Sequence, residues 1–180
     1  MRKAIHKWFW LWSFDKEEKW LNEMAAKGLA LVSVGFARYE FESCAPGEYN
    51  IRLEMLKDSV SHPASQSYIR FLEDTGVEHI GTLLRWVYFR KKADIVPFDL
   101  FSDIDSRILH LNRMLLIPGI LGIVNFVNAI NMTRLYISSD FDYTLAPAIL
   151  TWAATLLMVY GFIRLYIKKA KLKKKRILHE

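Results

Sequence analysis

The sequence is short of the residues that carry most chemistry. Cys44 is the one cysteine in 180 residues, so no intramolecular disulfide can form, and a reducing compartment fits. Cys44 has no CxxC partner, and no two of His6, His62, His79, His110 and His179 are spaced as metal ligands. GxGxxG, GxxxxGK[ST] and GxSxG are all missing, which removes the signatures of dinucleotide binding, P-loop chemistry and nucleophile-elbow hydrolysis. No catalytic, cofactor-binding or metal-binding residue is assigned, no cofactor is expected, and the chain reads as a non-enzyme. The opening "MRKAIHKW" is basic, but neither an apolar core nor a small-residue cleavage site follows, so no signal peptide is expected.

Charge is also missing where the net value of +6 suggests it. Eight of the basic residues lie in the tail from Arg164 to Arg176, and without them 17 basic residues face 19 acidic ones. The high pI describes a tail and gives no support to direct nucleic-acid binding by the remainder.

Two long stretches lack charge altogether. Met114–Ile130 and Leu145–Phe162 contain no Asp, Glu, Lys or Arg. About 20 apolar residues span a hydrocarbon core, so two transmembrane helices are expected over roughly 114–132 and 145–167, within a membrane region 114–167. Asn125 and Asn128 share one face of the first and are expected to contact the second helix, since amides facing lipid are costly. Arg107 and Arg113 precede the first span, and Lys168, Lys169, Lys171, Lys173, Lys174, Lys175 and Arg176 follow the second. The positive-inside rule then puts both termini in the cytoplasm, with a short outside loop. The basic tail, 168–180, is expected to bind anionic lipid headgroups.

Residues 1–93 alternate between helical and extended patterns. "DKEEKWLNEMAAKG" reads as a helix of about 13 residues that Gly28 ends, and "SHPASQSYIRFLEDTG" reads as a second one. "LALVSVGFARYEFES", "YNIRLEML" and "VEHIGTLLRWVYFRKK" read as strands, and the aromatic run "HKWFWLWSF" as a first strand. The order strand, helix, strand, strand, helix, strand predicts an α+β class and a ferredoxin-like βαββαβ cytoplasmic domain with both helices on one face of the sheet. Residues 94–113 follow as an amphipathic juxtamembrane helix that runs into the first span or lies along the membrane surface, with Phe101, Ile104, Ile108 and Leu111 on one stripe.

In a first strand, Trp8, Trp10 and Trp12 point to one side, and Phe9 and Leu11 to the other. The expected partner or ligand face combines these tryptophans with Arg52 and Glu54 on the third strand and Trp86 on the last. The third strand lacks the glycine-aromatic pattern of an RNA-recognition motif. Asp15, Glu17 and Glu18 read as a solvated helix start favoured by the helix dipole.

"FDKEEKWLNEMAAKGLALVSVG", "YEFESCAPGEYNIRLEM" and "DLFSDIDSRILHLNRM" before two apolar spans resemble the domain of unknown function 2812 family, along nearly the whole chain. The resemblance implies a small membrane protein of the bacterial cytoplasmic membrane, often encoded beside a PadR-type transcriptional regulator. It carries over no catalytic residues. The expected function is a membrane-anchored regulatory or stress-response module whose cytoplasmic domain binds that regulator or a small ligand. The alternative is an accessory subunit of a transporter or other membrane complex.

Overall fold

Apolar residues at three- and four-residue steps build two helices in the first hundred residues, and alternation builds six strands around them. In the computed structural model, which describes residues 2–94, 98, 100, 104–138 and 144–177, the order is β1 (Lys3–His6), α1 (Phe14–Ala26), β2 (Leu29–Gly35), β3 (Arg38–Ser43), β4 (Tyr49–Met55), α2 (Pro63–Asp74), β5 (Glu78–Leu83) and β6 (Trp86–Lys92). Gly28 stops α1 in the left-handed region at φ +80°, and Gly76 stops α2 at φ +81°. His62 caps α2 by accepting from the Ala64 amide at 3.2 Å, with Pro63 in the first turn.

The strands form two three-stranded antiparallel sheets, ordered β1-β3-β2 and β4-β6-β5. Three expectations give way here. Two of the predicted strands each fold back as a tight hairpin, turning at Phe36–Ala37 and Leu84–Arg85. Ala37 and Leu84 take positive φ without being Gly or Asn, so the turns carry little of the usual sequence signal. The first strand is short, lies upstream of the tryptophans, and sits at a sheet edge where it pairs with β3 alone. The helices do not share a face. α1 packs through Leu21 and Ala25 on the side bearing Tyr39, Phe41, Ile51, Leu53 and Tyr88. α2 packs through Ile69 on the side bearing Val87 and Phe89. Residues 87 and 88 alternate on one strand, so these are opposite faces of the second sheet.

The two halves follow one plan: strand, helix, strand, strand, with the last strand in the middle of its sheet. Equivalent positions stand 48 residues apart, as Gly28 and Gly76, Leu21 and Ile69, or Phe41 and Phe89 show. The ladder irregularities coincide as well, between Leu31 and Ser33 in one half and between His79 and Gly81 in the other. The N-terminal domain is a structural repeat of a βαββ unit.

β2 and β5 are the edges at which the halves meet. Arg90, whose backbone pairs with Glu78, reaches the Leu31 carbonyl at 2.9 Å. Gly81 lies against Val34, whose Cγ2 would stand 2.9 Å from a Cβ on residue 81. The edges therefore run side by side in the same direction. Gly81→Ala is expected to destabilise the protein by about 1–3 kcal/mol, because a branched side chain on a strand has little room to yield. Urea unfolding followed by tryptophan fluorescence measures this, and the cost should shrink in a Val34→Ala background.

Residues Met1–Ser102 and Asp103–Glu180 are separate compact units. The second unit is a hairpin of α3 (Ile104–Ser138) and α4 (Leu145–Ile177). At 1.5 Å per residue, helices of 35 and 33 residues are each about 50 Å long. Asp105 pairs with Arg176 at 3.1 Å at one end, and Trp152 donates to Thr133 Oγ1 at 3.1 Å toward the other, so the helices are antiparallel. Gly119 and Gly122 let them approach: Phe162 and Met158 lie 3.6 and 3.5 Å from where a Cβ on each would stand. Both helices hold a window of mean hydropathy 1.7, of which 22% and 17% is buried. Both are long and apolar enough to cross a membrane, and their apolar side chains face outward, which distinguishes them from the core helices of a soluble protein. The described part of the expected juxtamembrane helix, from Ile104, is the first turns of α3, with Ile108 and Leu111 buried. Phe101 lies outside the described residues.

Candidate functional site

Three features of the N-terminal unit concentrate polar or aromatic side chains. The first is internal. Glu17 lies one helical turn before Leu21, on the apolar stripe of α1, and is buried. Its Oε1 accepts from the hydroxyl of Tyr39 on β3 at 2.7 Å and from that of Tyr88 on β6 at 2.6 Å. One carboxylate thus ties α1 to the central strand of each sheet. Burial raises the Glu17 pKa against the lowering by its two hydroxyl donors. Burial, followed by the nearby carboxylate, pushes both tyrosines above their ordinary range. The reading of Glu17 as a solvated helix start gives way to this role.

The second feature is a polar groove of about 480 Å³ between α1 and β4, lined by Asp15, Glu18, Lys19, Asn22, Glu23 and Arg52 among others. Its floor is made of bonds that finish the β4 edge. Asn22 Nδ2 donates to the Ile51 carbonyl and its Oδ1 accepts from the Ile51 amide, both at 2.9 Å. Glu18 accepts from the Leu53 amide at 3.1 Å and pairs with Arg52 at 3.1 Å. Arg52 also donates to the Phe98 carbonyl at 2.8 Å. Side chains of α1 thereby do what a neighbouring strand does elsewhere, and they cover an edge that would otherwise pair with another chain.

The third feature is the aromatic run. Residues 7–10 belong to no strand, although the Lys7 amide still donates to the Ala37 carbonyl at 3.0 Å, and Leu11–Ser13 forms a 3-10 turn into α1. Period-two spacing survives without a strand. Trp8, Trp10 and Trp12 lie on one side, with ring centroids 5.7 and 5.1 Å apart, the second pair stacked. Phe36, on the first hairpin turn, extends this ladder at 5.1 Å from Trp8. Phe9 points the other way, against Trp20 and Tyr39 in the core.

The expected face therefore separates. Trp8 and Trp10 are exposed, while Trp12 is buried at the root of the ladder. Trp86 is half-buried against Phe14, 5.8 Å away. Glu54 is buried and accepts from Tyr68 of α2 at 2.7 Å, because α2 covers the side of β4 that was expected to be open. Arg52 is engaged in the groove. Phe36 was missed, because a lone aromatic at a turn gives no sign in sequence of standing next to Trp8.

In the second unit, Asn125 donates back to its own helix, to the Leu121 carbonyl at 2.9 Å, and Asn128 is exposed. The hairpin closes on Gly119, Gly122 and Ala129, since small residues allow the closer approach, and the partly buried Asn125 stands on the same face, three residues after Gly122 and four before Ala129. Lys171, Lys173, Lys174, Lys175 and Arg176 are exposed, and Lys168 and Lys169 partly so, along the end of α4. Among the described residues no group of three His, Cys, Asp or Glu side chains is arranged to hold a metal ion. Burial and the Glu48 carboxylate raise the Cys44 pKa, which holds the thiol in its less reactive protonated form.

A family description, "Protein of unknown function (DUF2812)", matches residues 13–123. That is more than half of the chain, and the chain belongs to this family. The matched region holds both βαββ units from α1 onward and the first part of α3, and it begins after Trp12. No curated protein and no solved structure matches the chain.

Proposed function

We propose that this chain is a non-enzymatic, membrane-anchored regulatory module of the bacterial cytoplasmic membrane, with both termini cytoplasmic. The observation that carries the reading is the α3–α4 hairpin, whose two apolar helices turn most of their side chains outward. In water such a surface is a severe aggregation liability, and in lipid it costs nothing. Arg107, Arg113 and the Lys168–Arg176 series lie toward the hairpin end marked by the Asp105–Arg176 pair, which favours that end on the cytoplasmic side.

The N-terminal unit then works in the cytoplasm as a binding module. Its partner is a protein, and the PadR-type regulator expected beside family members is the first to try. The contact surface is the α1–β4 groove, where the exposed Lys19–Glu23 pair flanks Arg52 and Glu18. Affinity purification of the tagged chain from detergent should recover the regulator. Reversing the pair, Lys19→Glu with Glu23→Lys, should reduce recovery several-fold without unfolding the domain, since exposed pairs contribute little to stability. Absence of the regulator from the eluate, together with an unchanged transcript profile on deletion, sinks this reading.

One observation favours a second reading, an accessory subunit of a transporter or other membrane complex. Asn128 is exposed, three residues before the exposed Asn131 on an otherwise apolar stretch of helix, and amides facing lipid are stabilised by a partner helix. A photo-crosslinker at residue 128 that captures a foreign membrane protein supports it.

A further inference from the structure

We propose that the Phe36–Trp8–Trp10 ladder is a second membrane contact, which lays the N-terminal unit against the surface of an anionic bilayer. The proposal rests on the membrane-anchored reading above. Three observations carry it.

The ladder is continuous and outward. Its ring contacts run without a break from buried Trp12 to Phe36, and Trp8, Trp10 and Phe36 are 51%, 43% and 73% exposed. Large aromatics held that open are costly in water. Tryptophan is the side chain best suited to the headgroup region, where a flat apolar ring and one N–H donor both find partners.

The charge beside it is net positive, since the one acid across from β1 on this side, Glu40, is paired with Arg38 at 2.7 Å. Residues 2–14 contain Arg2, Lys3 and Lys7 and no Asp or Glu. Arg2 and Lys3 are exposed, on or beside β1, whereas Lys7 turns to the other side, over the Phe9 and Trp20 rings. Basic side chains bordering exposed tryptophans match the phosphates and negative potential of an anionic leaflet.

The bilayer is always within reach. β6 ends at Lys92 and α3 starts at Ile104. Phe98 is held on the domain by Arg52 and by the α2 core, so the tether from there to Ile104 extends to at most about 20 Å. A surface tethered at that range meets a high effective concentration of lipid, so even a weak contact is occupied.

The test uses the full chain with Cys44→Ser and one new cysteine carrying an environment-sensitive fluorophore. The cysteine is Phe36→Cys, or Leu156→Cys on the outward side of α4 as a control. Each is reconstituted in nanodiscs of phosphatidylcholine, with or without phosphatidylglycerol, and quenched by nitroxide lipids. Position 36 should be quenched and blue-shifted in anionic discs. The quenching should fall several-fold in pure phosphatidylcholine and with Trp8→Ser plus Trp10→Ser. Quenching at 156 without quenching at 36 overturns the ladder contact and leaves the anchor standing. No quenching at either position overturns both. A position 36 that lipid leaves unchanged, and that is shielded only when a cytoplasmic protein is added, overturns the contact in favour of a protein partner.

Discussion

Glu17→Ala should lower the unfolding free energy of the N-terminal unit by about 2–4 kcal/mol. The truncation leaves two buried hydroxyls, Tyr39 and Tyr88, without the carboxylate that accepts from both. A buried donor that loses its partner costs about 1–3 kcal/mol. The effect is not simply twice that figure, because the wild-type carboxylate is itself penalised by burial, and removing it returns part of the loss. Tyr39→Phe and Tyr88→Phe should each cost about 1 kcal/mol, and the pair should be non-additive because they share one acceptor atom. Five of the six tryptophans lie in residues 1–102, so fluorescence during urea unfolding of the detergent-solubilised chain reports this unit.

The same site sets a pH dependence. The folded-state pKa of Glu17 lies above its ordinary value of 4.5, chiefly through burial. The folded protein therefore holds the proton more tightly than the unfolded chain. The contribution of Glu17 is fully present below pH 4.5 and is lost as pH rises through the raised value. Glu17→Gln keeps an oxygen for the tyrosines and does not ionise, so it should remove this slope while costing less than alanine. An unchanged slope in the glutamine variant would show that other carboxylates set it.

Glu17 also shows where sequence reading runs short. In "DKEEK" it looks like its neighbours, and acidic residues in a first helical turn are usually solvated. Its spacing of four from Leu21 and eight from Ala25 does put it on the buried stripe. Nothing local says that two tyrosines, 22 and 71 residues away, will meet it. Both helices, their glycine stops and the membrane-length segments were legible, because each rests on periodicity or composition within one window. The aromatic run was half legible. Alternation placed the tryptophans on one side and Phe9 on the other, but it did not tell an extended segment from a paired strand, since only ladder partners distinguish the two.

The repeat is hidden in the sequence for a related reason. Trp20 and Tyr68, Leu21 and Ile69, and Met24 and Leu72 are equivalent in place and similar in character but not identical. What the halves share is a hydrophobic plan with a glycine stop, and many unrelated segments share that too. The hairpin turns hid the remainder: without glycine or asparagine at the positive φ positions, each strand pair read as one long strand.

The repeat makes its own quantitative claim. Phe41 and Phe89 are both fully buried on central strands, each beneath the helix of its own half. Replacing either with alanine should cost about 3–5 kcal/mol, through lost transfer energy and the cavity left behind. They belong to separate clusters, one under α1 and one under α2, so milder changes should combine independently. Phe41→Leu and Phe89→Leu together should sum to within about 0.5 kcal/mol of the single values. A single shared core would behave otherwise, because a cavity on one side would relax into the other and the double variant would depart from the sum. The seam sharpens the comparison. Gly81 touches Val34 across β2 and β5, so Gly81→Ala should couple to changes in the first half. If the coupling is confined to that seam, the α1 core, which draws Ile51, Leu53 and Tyr88 from the second half, and the α2 core on the opposite face of the second sheet are energetically separate layers of one domain.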